Sequence, residues 1–255
     1  MKKFLSLTRA SMSAMFAQSQ SGGKSKKASY KFRTLILYAF LVIYFGAMSG
    51  FFSYVMYQSL SEIGMQKLIP MLVVFAATLL TLISSVFTSG GYLYRAKDLQ
   101  LLLALPVSKL TILCSKFFGL YLSNLTVAAL LCLPSGIVYL VLDGGSVTGY
   151  ISLAIVTLSL PLLPIVIGCI ISYFIGLATR GMKHKNVVTI VISVVFFIGV
   201  MLLSQNSESI FEYIENNGAT ISESISKWYL PAGLAANAIS GVLIDLLWFL
   251  LINII

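Results

Sequence analysis

Read as a string of apolar and polar positions, the chain falls into six long apolar runs with short polar segments between them. The runs cover about 34–57, 68–92, 117–142, 149–178, 187–203 and 234–255. A helix needs roughly 20 predominantly apolar residues to cross the hydrocarbon layer, so this spacing predicts an all-α integral membrane protein, a bundle of about six transmembrane helices. Ahead of the runs, residues 1–33 form a basic leader in which Phe4, Leu5, Leu7, Met12, Met15 and Phe16 suit one side of a short interfacial helix. A partly disordered tail fits the same residues equally well. Gly22, Gly23, Lys24, Lys26 and Lys27 then read as a flexible polybasic link to the first run.

Composition agrees with the pattern. Of 255 residues, 58% are hydrophobic and only 10% charged, against about 25% charged in soluble domains. The net charge of +9 could suggest nucleic acid, but the basic residues lie beside the apolar runs. Membrane topology and anionic lipid account for them better, and no nucleic-acid partner is expected. Residues 1–33 hold eight of the seventeen Lys and Arg, 93–116 four and 179–186 three. The remaining two, Lys67 and Lys227, share their segments with Glu62, Asp143, Glu208, Glu212, Glu215 and Glu223. The positive-inside rule therefore puts the N-terminus in the cytoplasm of a cell-membrane protein, with 204–227 an acidic, solvated extracellular loop holding at most one short helix.

Chemistry-bearing residues are sparse. Cys114, Cys132 and Cys169 are widely spaced and His184 is the sole histidine, so no disulfide framework, zinc site or redox pair is expected. The first long apolar run starts after Arg33, too late for a cleavable signal peptide. Gly23-Lys24-Ser25 resembles the end of a phosphate-binding loop, but the earlier glycine would fall on Gln18 and no strand precedes it. From this we expect no catalytic, cofactor or metal site, and an energy source on another chain. Asn124-Leu125-Thr126 matches a glycosylation sequon inside an apolar run, where glycosylation is excluded.

The segment 93–116 carries the most information. Asp98, Leu101, Leu102 and Leu105 fall at helical spacing, and Arg95, Lys97 and Asp98 keep one end polar. Pro106 ends that helix and Ser108 is placed to cap the next. The pattern predicts a short amphipathic helix at the cytoplasmic face joined by a tight turn to the third span. Such a helix can receive a push from a cytosolic partner, though an ordinary interfacial connector fits as well.

The run Arg95-Ala96-Lys97-Asp98-Leu99, Leu103-Ala104-Leu105-Pro106-Val107-Ser108 and then Lys116 resembles the corresponding stretch of bacterial ABC exporter permeases. The leader and Trp228-Tyr229-Leu230-Pro231 are similar in those proteins too. The resemblance implies a membrane permease subunit that exports a lipid, peptide or drug-like cargo. It further implies ATP hydrolysis in a separate cytosolic ATPase and assembly as a permease homo- or heterodimer. Arg95, Lys97, Asp98, Leu101, Leu105, Pro106 and Ser108 would then couple to that ATPase. Members of that family are often longer, and the abrupt apolar end at Ile255 leads us to expect that the natural chain continues.

Two polar residues fall inside apolar runs. Asn124 is read first as a bond between helices and second as a cargo contact. Asp245 is the carboxylate placed to sit in the hydrocarbon, and so is a functional candidate. Its depth depends on the last run. Either a span starts near Leu234, or Pro231 opens a short interfacial or re-entrant helix and the rest is too short to cross. Gly46 and Gly50, and Gly168, Ser172 and Gly176, form small-residue faces that suit close helix packing, with a dimer contact through the first as an alternative. Pro161 and Pro164 interrupt the fourth run and predict a kink, a broken cargo-path helix being the sharper alternative. Two further classes remain as alternatives: an intramembrane enzyme, disfavoured because paired acids or a Ser/His pair are missing, and a channel-like or non-transporting membrane partner such as a sensor or immunity protein.

Overall fold

The computed structural model describes residues 27–92, 108–178, 194, 198 and 207–254. The protein is an all-α membrane bundle, and the described residues contain no strand. Among the described residues eight helices follow in order: α1 (Lys27–Ser61), α2 (Leu68–Tyr92), α3 (Lys109–Leu142), α4 (Val147–Ser159), α5 (Leu162–Ala178), α6 (Ser207–Trp228), α7 (Leu230–Ile239) and α8 (Leu243–Ile254). Four stretches are long and apolar enough to cross a membrane: Ala39–Ser61, Leu68–Gly90, Leu110–Leu142 and Val147–Leu177. The interfacial leader helix, the segment 93–107 and all of the expected fifth span except Val194 and Ile198 lie outside the described residues.

Helix α2 is the hub, packed against α3, α5 and α7. Its buried face carries Leu68, Ile69, Met71, Val74 and Ala77, and continues in Thr81, Ser85 and Ser89. Polar side chains at this depth need partners, and the helix supplies them: Thr78 Oγ1 donates to Val74 O (2.7 Å) and Thr81 Oγ1 to Thr78 O (2.9 Å). Opposite α2, Gly168 lies so close to Ser85 that a Cβ there would overlap its hydroxyl, and Ser172 faces Gly90. The small-residue face of the fourth run is thus a seam within the bundle.

The first helix is different. It rests on α3 and hardly touches anything else. Ser49, Ser53 and Tyr57, four residues apart on one face, donate to the carbonyls of Leu131 (2.8 Å), Ser135 (3.1 Å) and Leu142 (3.1 Å). Gly46 and Gly50 face Pro134 and Val138 of α3, where a Cβ would make only ordinary contact at 3.5 Å. Met56 and Leu60 near the end of α1 are buried, whereas Phe40, Ile43, Met48 and Phe51 are exposed. In a bilayer this face meets lipid tails, which are as apolar as the side chains themselves.

The fourth apolar run is broken, as its prolines predict. Helix α4 ends at Ser159 and α5 starts at Leu162. Proline cannot donate to the helix ladder, so nearby carbonyls need other donors. Tyr121 Oη takes Leu158 O (2.8 Å) and Ser85 Oγ takes Pro164 O (3.1 Å). Two carbonyls flanking the break thus receive side-chain donors from within the bundle, as irregular backbone at membrane depth requires.

Two segments depart from the sequence reading. The acidic stretch 204–227, expected as a loop, contains the 22-residue helix α6, kinked at Asn217. The stretch 234–255, expected as one span, is split at Gly241 (φ 105°) into α7 and α8. At about 1.5 Å per residue these two reach only about 15 and 18 Å, short of the roughly 30 Å hydrocarbon thickness. Instead α6 and α7 form a hairpin along α2. Gly218 abuts Met65 and Leu68, Ser222 Oγ lies 3.6 Å from Met71 Sδ, and Tyr229 reaches Phe75 at 6.2 Å between ring centroids. Pro231 opens α7, which returns on a run of buried alanines, Ala232, Ala235, Ala236 and Ala238. Helix α8 then packs against α4 and α5 through buried Leu246 and Phe249.

Candidate functional site

Helices α1, α3 and α7 all terminate at the same end of the bundle, and each closes in the same way. A glycine with positive φ follows the helix, and the next amide reaches back to a carbonyl five residues earlier. Gly64 (φ 73°) precedes Met65 N–H to Leu60 O (3.1 Å). Gly144 (φ 68°) precedes Gly145 N–H to Leu140 O (2.7 Å), and Gly241 precedes Val242 N–H to Asn237 O (3.0 Å). These are Schellman-type ends, which use glycine because other residues are strained at positive φ.

Around these ends lies a cavity of about 590 Å³, within the range of small-molecule sites. Its walls come from the α1–α2 connection, the end of α3 and the α6–α7 hairpin. The apolar part is Met65, Leu68 and Met71; the polar part includes Lys67, Asp143, Ser222, Glu223 and Asn237. Tyr139, fully buried, sits at its base. The Tyr139 hydroxyl donates to Asp143 Oδ2 (3.1 Å) and lies 3.2 Å from Ser240 Oγ, so it ties α3 to the end of α7. Ser240 Oγ in turn donates to Ala236 O (3.0 Å). Glu223 pairs with Lys227 at 2.7 Å on the exposed side of α6. Lys67 and Asp143 form no ion pair with any described residue. Among the described residues no group of three His, Cys, Asp or Glu is placed to hold a metal ion.

The residues singled out from the sequence are scattered. Arg95, Lys97, Asp98, Leu101, Leu105 and Pro106 lie outside the described residues. Ser108 is where the pattern puts it: extended (φ −62°, ψ 142°) at the N-cap of α3, its Oγ accepting from Thr111 N–H at 3.3 Å. Asn124 is completely buried, but its amide donates to Leu120 O of its own helix (3.0 Å), and its Oδ1 has no protein donor. Among the described residues it makes no hydrogen bond to a neighbouring helix. Asp245 lies in the first turn of α8, half-buried just after the Gly241 break. A carboxylate there is stabilised by the positive end of the helix, so it has a structural partner in the peptide dipoles.

The cavity brings together residues that the sequence reading passed over. Tyr139 and Asn237 drew no reading there, and Lys67, Asp143 and Glu223 were counted only for topology. Two local signals were present: Tyr139 and Asp143 stand one helical turn apart, and Asp143-Gly144-Gly145 spells a helix end.

Comparison with known proteins gives one finding. A profile of the family described as "Putative ATP-binding cassette" matches residues 26–231. That is most of the chain, and the protein belongs to this family. No curated protein and no solved structure matches it. The finding corrects two expectations. The chain was expected to be a permease subunit exporting a lipid, peptide or drug-like cargo, served by a cytosolic ATPase on a separate chain. The matching family is itself described as an ATP-binding cassette, so the association with ATP belongs to this chain's own family and not to a partner.

Proposed function

Since the chain belongs to that family, we propose that it is a membrane-embedded ATP-binding-cassette protein whose bundle responds to ATP. The observation that carries this reading is the extent of the match. Residues 26–231 take in all four long apolar stretches, so the family signature and the lipid-facing helices are one polypeptide. A soluble cassette with a peripheral anchor would separate the two. The described residues hold no strand and no glycine-rich loop opening a helix, so no ATP contact is assigned to any of them. We further propose a cytoplasmic N-terminus in a cell membrane. Support comes from the charge bias of residues 1–33, 93–116 and 179–186, and from α1, α2 and α3 running antiparallel in turn.

The test uses a thiol the chain already carries. Cys114 is exposed near the start of α3, whereas Cys132 is buried. In lipid nanodiscs, with Cys132 and Cys169 replaced by serine, Mg-ATP should change the rate of maleimide labelling at Cys114 by at least twofold. A fluorescent ATP analogue should bind the purified chain and be displaced by ATP. Unchanged labelling together with no analogue binding would overturn the reading.

A further inference from the structure

The geometry points to the cavity at the ends of α1, α3 and α7 as a binding site for a zwitterion, a molecule carrying an ammonium group and an anionic group a few atoms apart. The inference does not rest on the link to ATP.

The case begins with the field inside the cavity. Three helix C-termini converge on it, and each carries a partial negative charge of about half an elementary unit on its last carbonyls. Asp143 adds a full negative charge at the C-cap of α3, the position where the peptide dipoles oppose a carboxylate. Its one hydrogen-bond donor from a side chain is the Tyr139 hydroxyl, and no described cation pairs with it. A cation is the missing complement at this wall. Glu223 does not need one, because Lys227 already neutralises it.

Another part of the lining has the reverse character. Lys67 immediately precedes Leu68, the first residue of α2, so its ammonium charge adds to the positive end of that helix. It too has no ion-pair partner among the described residues. The cavity lining therefore carries a carboxylate and an ammonium that do not pair with one another. A purely cationic or purely anionic ligand would satisfy one and leave the other unpaired.

Depth narrows the class further. The cavity lies where the spans Ala39–Ser61 and Leu110–Leu142 end and Leu68–Gly90 begins. That is the level of lipid headgroups, and exposed Trp228 (90%) on the neighbouring hairpin suits the same region. Met65, Leu68 and Met71 supply an adaptable apolar floor beneath the charges. An ethanolamine-type phosphodiester carries the complement of both charges, whether as an intact lipid or as a free headgroup.

Two arms distinguish these sources. In phosphatidylglycerol nanodiscs, added glycerophosphoethanolamine at ten times its Kd should raise the Tm by about 3–6 °C. Glycerophosphate alone and ethanolamine alone should bind at least tenfold more weakly. In the second arm, replacing part of the phosphatidylglycerol by phosphatidylethanolamine should raise the Tm. A response in either arm supports the site: the first identifies a free headgroup as sufficient, the second alone identifies the lipid. Asp143→Asn and Lys67→Gln, both at exposed positions, should each weaken the response at least tenfold. Glu62→Gln, exposed and outside the cavity wall, should leave it intact. No response in either arm, or an equal response in the Asp143 and Lys67 variants, overturns the proposal.

Discussion

At the scale of single residues, the bundle is specified less by its large apolar side chains than by the small ones that let helices touch. Gly168 is the sharpest case, because a single added carbon would overlap the Ser85 hydroxyl, and that hydroxyl also donates to the Pro164 carbonyl in the first turn of α5. Gly168→Ala should therefore destabilise the protein by about 1–3 kcal/mol, as overpacked sites do. The measurement is reversible unfolding in mixed detergent. The double variant Ser85→Gly, Gly168→Ala should regain part of the loss, because the collision is removed; a double variant no better than the single one would mean that Gly168 acts elsewhere. Gly176 has nothing within 4 Å of a would-be Cβ, and alanine there should be neutral. The sequence shows both glycines in one stripe with Ser172. Only the packing tells them apart.

At the scale of elements, hydropathy was a good guide wherever lipid sets the rule, and a poor one near the interface. The first four apolar runs were legible because a long uncharged stretch has few other solutions in a bilayer. Pro161 and Pro164 announced their break for a similarly local reason. Helix α6 was hidden by its acids, Glu208, Glu212, Glu215 and Glu223, which read as a solvated loop. Yet Ile214, Ile221 and Ile225 keep helical spacing in the same stretch. The α7–α8 split was legible only as one of two alternatives, since Gly241 in an apolar run does not by itself say that φ is positive. The structure assigns it φ 105°, a conformation reserved for glycine. Gly241→Ala should cost about 1–3 kcal/mol and shift Trp248 emission, because the angle between α7 and α8 must change. An unaltered Tm and spectrum would show that the turn tolerates an L-residue.

At the scale of the whole molecule, the cavity was out of reach of sequence reasoning. Its walls are gathered from residues 64–71, 139–143, 218–226 and 233–237, and nothing in any one segment refers to the others. What sequence does supply is an expectation of the face from which such a site would be reached. If the charge bias sets topology, Lys67 and Ser108 lie on opposite faces of the membrane. In a chain freed of its three cysteines, Lys67→Cys should react with a membrane-impermeant maleimide added to intact cells. Ser108→Cys should react only after permeabilisation. The reverse pattern would invert the molecule and expose the cavity to the cytoplasm.

The seam between α1 and α3 also bears on how the chain is made. Ser49 and Ser53 each find their acceptor 82 residues further along, so α1 enters the bilayer before the helix it docks on has been synthesised. While it waits, its hydroxyls turn inward to their own backbone and its glycine face stands open to any passing helix. The first span thus waits for its partner, and this interval is when membrane quality control, or a helix from another nascent chain, has its opportunity to intervene.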